Sequence, residues 1–329
     1  MNIPFFKDLK IGAYILKQKL LGRKRYPLVL MLEPLFRCNL ACNGCGKIDY
    51  PDPILNRRLS VEECLAAVDE CGAPMVAIPG GEPLIHKDIG AIVKGIVARK
   101  KFVSLCTNAL LLEKRLDQFE PSPYLFFSVH LDGLKSHHDQ SVCQEGVFDR
   151  AVSAVRAAKA RGFAVNVNAT IFDGHAAEDI AAFLDFAKSL GVGVSISPGY
   201  AYERAPDQDH FLSRRKTKEL FRRVFALGRG KRWNLMHSGL FLTSWPAIRP
   251  ITAPPGACRR AISSVGRGRA ICSARAMRIR LRNSWRPRTG TLMARAVMRN
   301  ARTAWRIAAM SRPQPMQHWP GRSRPCASP

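Results

Sequence analysis

Short runs rich in β-branched and aromatic residues alternate along this chain with longer stretches whose apolar positions recur at helical spacing. The runs fall at Leu28–Leu35, Met75–Pro79, Phe102–Asn108, Leu125–Asp132, Ala164–Ile171 and Val192–Tyr200. Between them lie stretches such as SVEECLAAVDECG, IGAIVKGIVARKK, VFDRAVSAVRAAKARG and DIAAFLDFAKSLG, each with one apolar face. Six strand–helix units in series predict a parallel sheet, since parallel neighbours need a crossover of helical length.

Parity within the runs refines that expectation, because successive side chains of a strand face opposite sides. Leu125, Phe127, Val129 and Leu131 alternate with Ser128, His130 and Asp132. Val165, Val167 and Ile171 alternate with Asn166, Asn168 and Thr170, and Val194 and Ile196 with Ser195 and Ser197. One face is therefore apolar, while the other turns polar toward the C-terminal end of each strand. A doubly wound sheet is apolar on both faces. The pattern instead predicts an α/β fold over residues 28–242, a partial (β/α)6 barrel with a polar lumen and its site at the C-terminal strand ends.

Ahead of this core, PFFKDLKIGAYILKQKLLGRKRY mixes Phe, Leu and Tyr with seven Lys and Arg. It predicts a basic amphipathic helix within 1–27, suited either to an anionic lipid surface or to packing on the body with a solvated basic face. No apolar run reaches the roughly 18 residues that a spanning helix needs.

The formal net charge of +27 suggests nucleic acid at first, but its distribution argues otherwise. Residues 243–329 hold 18 Arg and no Lys, Asp, Glu, Phe or Tyr, which leaves +9 for residues 1–242. Ordinary usage predicts on the order of ten acids in a stretch of that length. Translation of GC-rich DNA out of frame produces this mixture. Asn300–Ala309, NARTAWRIAA, can be back-translated and read one base earlier as K-C-A-D-C-M-A-H-C-G. The tail is therefore read as out-of-frame after about Leu242 and is set aside for function. A zinc-dependent nucleic-acid binder driven by the Arg-rich tail is set aside with it, so no nucleic-acid partner is expected.

Ten cysteines in a chain without a secretory pattern at its start lead us to expect a reducing, cytoplasmic setting. Cys38, Cys42 and Cys45 stand C-x3-C-x2-C just after the first predicted strand, at the barrel mouth. A structural zinc site wants four ligands, and Cys64 and Cys71 belong to the next helical pattern. A [4Fe–4S] cluster held by three thiolates leaves one iron open to an external ligand.

The loop resembles that of the radical S-adenosylmethionine (SAM) superfamily, and so do GGEP at Gly80–Pro83, ending the second run, and TNA at Thr107–Ala109, ending the third. The resemblance implies a [4Fe–4S] cluster on Cys38, Cys42 and Cys45 and S-adenosylmethionine on the open iron. Gly80, Gly81, Glu82, Pro83, Asn108, Ser128 and Asn168 would bind the cofactor, the glycines through backbone groups brought close. The residue before the third cysteine is usually aromatic in that superfamily and shields the adenine; here it is Gly44.

CGKIDYPDPILN, RLSVEECLAAVDECGAP, LCTNALLLEK, SVHLDG, SVCQEGVFDRAV and SPGYAYERAPDQ resemble more narrowly the adenosylhopane synthases of hopanoid biosynthesis, over about residues 1–242. That resemblance implies addition of a 5′-deoxyadenosyl radical to the alkene of diploptene, a pentacyclic triterpene, with an electron donor such as flavodoxin or ferredoxin. The carbon radical left behind must gain hydrogen. Cys106, on the parity of Asn108, is the candidate donor, since a thiol S–H is weak. A triterpene dissolved in the bilayer also gives the basic N-terminal helix a reason to touch the inner face of the cytoplasmic membrane. Peptide modification by another radical SAM activity is the alternative. His130, Asp132, Tyr200, Tyr202, Glu203 and Arg204 are further polar strand-end residues, without assigned roles.

Overall fold

Helix α1 spans Ile3–Leu20 and leads into strand β1, Val29–Met31, in a computed structural model that describes residues 3–201, 209–231, 233–236 and 271–272. The short helix α2 (Asp52–Leu55) and then α3 (Val61–Cys71), β2 (Met75–Ile78), α4 (Ile89–Ala98) and β3 (Phe102–Thr107) follow. Next come α5 (Leu112–Arg115), β4 (Leu125–His130), α6 (Lys135–Ser141), α7 (Val147–Ala160) and β5 (Ala164–Ile171). Helix α8 (Ala177–Ser189), β6 (Gly193–Pro198) and α9 (Arg214–Leu227) complete the core. The sheet order is β6-β5-β4-β3-β2-β1, all parallel, and these six strands curve into a half-barrel. The predicted architecture is the observed one. A two-residue strand, β7 (Ile271–Cys272), pairs in parallel with β1. It is the only described part of residues 243–329, so the out-of-frame reading of that tail otherwise lies outside the described residues.

Local signals explain the boundaries. Ser60 and Glu63 form a reciprocal capping box that starts α3, and Gly72 at φ 66° ends it. The first run is extended only over Val29–Met31 and not over Leu28–Leu35, because Pro34 has no N–H to donate to a ladder. Beyond Leu32 the chain peels away from the sheet and becomes the cysteine loop.

The strand parity read from the sequence sorts burial as expected. Phe127, Val129, Leu131, Val167, Ala169 and Ile171 are fully buried beneath the helices. Phe127 meets Phe119 and Phe163 edge-on at 5.4 and 5.3 Å. Each of the Phe, Val, Leu and Ile side chains among them contributes about 1.5–3 kcal/mol through removal from water. Ser128, His130, Asn166, Asn168, Thr170 and Ser195 on the other parity are only half-buried.

Helix α1 packs on the N-terminal end of the barrel, opposite the strand ends that bear the motifs. Phe6 meets Phe102, the first residue of β3, at 6.0 Å and Tyr124, just before β4, at 5.7 Å. Lys10 lies 4.9 Å over the Tyr124 ring and Lys7 5.8 Å over Phe126. The Tyr14 hydroxyl donates to the Pro27 carbonyl at 2.9 Å. Leu9, Leu16 and Leu20 of the same helix are exposed, followed by Leu21. Among the described residues no helix is long and apolar enough to cross a membrane.

Glycines separate the tight places from the open ones. A Cβ on Gly81 would stand 2.3 Å from the carbonyl oxygens of both Phe36 and Arg37, whereas one on Gly12 in α1 would meet nothing within 4 Å. Gly81→Ala is expected to cost about 3 kcal/mol or more, because backbone must move. Gly12→Ala is expected to stabilise by about 0.5–1 kcal/mol through helix propensity. Urea unfolding of the two variants checks both signs.

Candidate active site

The cysteine loop is built onto the sheet by backbone. The Gly81 N–H donates to the Leu35 carbonyl at 3.1 Å and the Glu82 N–H to the Arg37 carbonyl at 2.9 Å. Gly80 takes φ +55°, with its Cβ position 2.8 Å from the Leu35 carbonyl oxygen. The glycine pair therefore serves close approach between the end of β2 and the loop that carries Cys38. The N–H groups of Gly81 and Glu82 are taken up by this contact.

Glu82 is fully buried. One carboxyl oxygen accepts from the Thr107 hydroxyl at 2.8 Å and the Leu84 N–H at 3.0 Å, and the other from the Asn108 N–H at 2.8 Å. It ties the ends of β2 and β3 together below the loop. Burial outweighs these three donors and raises its pKa to about 7. Pro83 beside it is buried and opens a single 3-10 turn. Asn108 extends the tie: its side-chain amide donates to Asn39 at 2.8 Å and to the Cys38 sulfur at 3.8 Å.

Cys38, Cys42 and Cys45 are half-buried, free thiols at the mouth. Burial pushes Cys38 up to about 11 and drives Cys42 up further, and the neighbouring thiols push in the same direction. Cys38 and Cys42 so placed become thiolates together only beside a strongly cationic partner. Among the described residues, no three His, Cys, Asp or Glu side chains converge closely enough for a single metal ion. The three-thiol donor set would suit an iron–sulfur cluster with one position left to an external ligand.

The lumen is arranged in rows across the strands. Cys106, Ser128, Asn166 and Gly193 are register neighbours, and above them lie His130, Asn168 and Ser195, then Thr170 and Ser197. Cys106 is half-buried, with its sulfur 3.9 Å from the Ser104 carbonyl. His130 Nε2 and Asp132 pair at 2.7 Å. Asp132 also accepts from the Ser141 hydroxyl at 2.6 Å and the Thr170 N–H at 2.8 Å. Burial alone would lower the His130 pKa, but the Asp132 carboxylate holds it raised; Asp132, in turn, is held low by His130 and its other donors against the effect of its own burial. Tyr200 is exposed after β6. Tyr202, Glu203 and Arg204 lie outside the described residues.

Sequence reasoning missed Asn39, Asn43 and Cys143. The Asn43 N–H donates to the Ser141 carbonyl at 3.0 Å, and the Cys143 thiol donates to the Asn43 side chain at 2.9 Å. Cys143 has φ +55°, uncommon for a residue with a side chain. These contacts latch the cysteine loop to the end of α6, about a hundred residues away in sequence. Nothing periodic in the sequence announces them.

Two family profiles match the chain. The radical SAM superfamily profile covers residues 32–187, the half-barrel strands β2 to β5 and the whole cysteine loop. Residues 32–187 are a radical SAM domain. A domain of unknown function (DUF3463) matches residues 194–253, ending just beyond Leu242. The chain is 31% identical over 183 residues to the GTP 3′,8-cyclase of Aquifex aeolicus, covering 53% of this chain and 57% of that protein. Identity to GTP 3′,8-cyclase 1 of Mycobacterium tuberculosis (strain H37Rv) is 28% over 176 residues, covering 50% and 49%. Pre-heme d1 synthase of Dinoroseobacter shibae is 24% identical over 206 residues, covering 59% and 50%. The chain thus spans about half the length of the curated relatives it matches. Among solved structures, Streptococcus suis SuiB bound to S-adenosylmethionine superposes with a TM-score of 0.56 at 19% identity, covering 72% of this chain and 57% of that one. That likeness concerns the fold.

The radical SAM domain uses a [4Fe–4S] cluster and S-adenosylmethionine. Cys38, Cys42 and Cys45 are the residues here that would hold the cluster, with the Asn108 amide as an N–H donor to the Cys38 sulfur.

The raised pKa of Glu82 carries a pH dependence. An unfolded glutamate ionises near 4.5 and the folded one near 7, so the fold favours the protonated form. That contribution is complete below about 4.5 and is lost as pH rises through 7. The apoprotein Tm is expected to fall across this window, and Glu82→Gln to flatten the fall; parallel pH-dependent melts of wild type and variant check it.

Proposed function

We propose that this radical SAM enzyme transfers the 5′-deoxyadenosyl group of S-adenosylmethionine to the alkene of diploptene, forming adenosylhopane. The observation that carries the reading is the run of stretches, from CGKIDYPDPILN to SPGYAYERAPDQ, that resemble the adenosylhopane synthases at the cysteine loop and at successive strand ends. When bound, the cluster and S-adenosylmethionine supply the 5′-deoxyadenosyl radical; the chain supplies position and exclusion of water.

Gly81 and Glu82 hold the cysteine loop to the end of β2 through their N–H groups and Gly80 leaves room for it, which sets the Gly80–Pro83 turn beside the cofactor it would bind. Asn108, Ser128 and Asn168 offer polar groups toward the cofactor from β3, β4 and β5. Cys106 lies one row deeper than His130 and Asn168, on the lumen parity. Its thiol would give a hydrogen atom to the substrate carbon radical: the S–H bond breaks, a C–H bond forms and a thiyl radical remains. One electron from a flavodoxin- or ferredoxin-type donor and one proton from water restore the thiol.

The exposed Leu9, Leu16, Leu20 and Leu21, with Lys17 and Lys19 beside them, favour peripheral contact with an anionic membrane on its cytoplasmic face. Because α1 caps the N-terminal end of the barrel, such contact anchors the body from the end opposite the cysteines. Leu9, Leu16 and Leu20 changed together to Ser are expected to reduce sedimentation with anionic liposomes at least tenfold and leave the cluster absorbance unchanged; undiminished sedimentation would remove the membrane reading.

The function itself is tested by anaerobic reconstitution with diploptene and a chemical reductant, using a gene whose frame is restored beyond Leu242. Adenosylhopane is the expected product, and Cys106→Ala should lower its yield at least tenfold while S-adenosylmethionine cleavage persists. A cyclised nucleotide formed from GTP in place of adenosylhopane would replace the reading. Full yield from Cys106→Ala would remove the donor role alone. A gene sequence with an unbroken, verified frame through residue 329 would remove the out-of-frame reading of the tail.

A further inference from the structure

Gly44 stands immediately before Cys45, and a side chain built there would run into Phe172. Its Cβ would lie 2.7 Å from Cζ and 3.0 Å from Cε1 of that ring. Gly199, just after β6, is empty around the same group, its Cβ position 2.7 Å from both Cδ1 and Cε1. Two glycines from separate elements thus make room for one phenyl ring, which arrives from the end of β5. Neither glycine has a positive φ that would explain its choice by backbone conformation.

His210 and Phe211 complete an aromatic group. The Phe172 ring centre lies 4.9 Å from that of His210 and 5.7 Å from that of Phe211, and His210 and Phe211 are 4.3 Å apart. Backbone bonds hold the group in place: the Asp173 N–H donates to the His210 carbonyl at 2.8 Å, and the Leu212 N–H to the Gly199 carbonyl at 2.9 Å. All three rings are only half-buried, and the main hydrophobic core does not include them. Core packing therefore does not account for so much aromatic surface against the cysteine loop.

S-adenosylmethionine has a charged amino-acid end and a flat aromatic end. The thiol loop and the polar rows of the lumen suit the first, and an aromatic face beside Cys45 suits the second. We infer that Phe172, set in the space left by Gly44 and Gly199 and backed by His210 and Phe211, is the wall on which the adenine of S-adenosylmethionine stacks. The ring that meets the base comes from the end of β5, and the cysteine loop is kept bare at position 44 to admit it. This assignment rests on the radical SAM reading of the cysteine loop.

Equilibrium dialysis of the reconstituted, unreduced holoprotein tests it, with S-adenosylmethionine and S-methylmethionine as paired probes. The second keeps the sulfonium, amino and carboxylate groups and has no base. Loss of a base–aromatic stack weakens binding about 5- to 150-fold, so Phe172→Ala should lose that much affinity for S-adenosylmethionine and none for S-methylmethionine. Phe172→Tyr should retain both. Gly44→Phe combined with Phe172→Ala should recover S-adenosylmethionine binding, because the ring then enters the same space from the loop side. Unchanged S-adenosylmethionine affinity in Phe172→Ala overturns the inference, and so does an equal loss for both probes, which marks a ring that only supports the loop. If the wild-type holoprotein binds neither probe, the cofactor reading of the cysteine loop falls and takes this inference with it.

Discussion

The arrangement of this site depends on one close contact, between the backbone after β2 and the backbone that becomes the cysteine loop. With Gly81 the two chains approach to a distance at which any side chain would strike two carbonyl oxygens. The N–H groups of Gly81 and Glu82 then satisfy the Leu35 and Arg37 carbonyls, which would otherwise be left without partners as the chain leaves the sheet. Below this contact the buried Glu82 carboxyl collects donors from Thr107, Asn108 and Leu84, so that β2, β3 and the loop share one hydrogen-bonded anchor. The Asn108 amide reaches from that anchor to the sulfur of Cys38. A loop of eight residues carrying three thiols has little rigidity of its own, and its shape comes from this neighbour.

A second anchor holds the loop from the other side. Asn43 is bound to the end of α6 through Ser141 and Cys143, and Ser141 also donates to Asp132, which pairs with His130 in the lumen. The cysteine loop is thus continuous, through hydrogen bonds, with the polar row at the top of the sheet. The third contact is apolar, where Phe172 lies against Gly44. Three different interactions, from β2, α6 and β5, fix three successive parts of one loop, which places the thiols at the C-terminal strand ends.

The polar lumen and the apolar outer face divide the labour of each strand. Fully buried Phe127, Val129 and Val167 supply burial against the helices, while their neighbours Ser128, His130, Asn166 and Asn168 remain partly open to solvent and available to ligands. Helix α1 closes the other end of the barrel through Phe6, Lys10 and Tyr14, which separates its exposed leucines from the thiols by the length of the strands.

The order of strands and helices, the curved parallel sheet with one polar face and the position of the cysteine motif were legible in the sequence. Each follows from a short-range regularity: a period of two in the strands, a helical period between them, and glycines and thiols at fixed local spacing. Leu125 to His130 and Ala164 to Ile171 show their two faces to any reader of alternate positions. The limits of β1, the placement of α1 at the closed end, and the partners of Glu82, Asn43 and Gly44 belonged to the tertiary structure. Gly81 and Gly44 carry no side chain that could announce what occupies the space beside them. Only the folded chain brings Arg37 to one and Phe172 to the other, because those contacts join residues separated by whole strand–helix units.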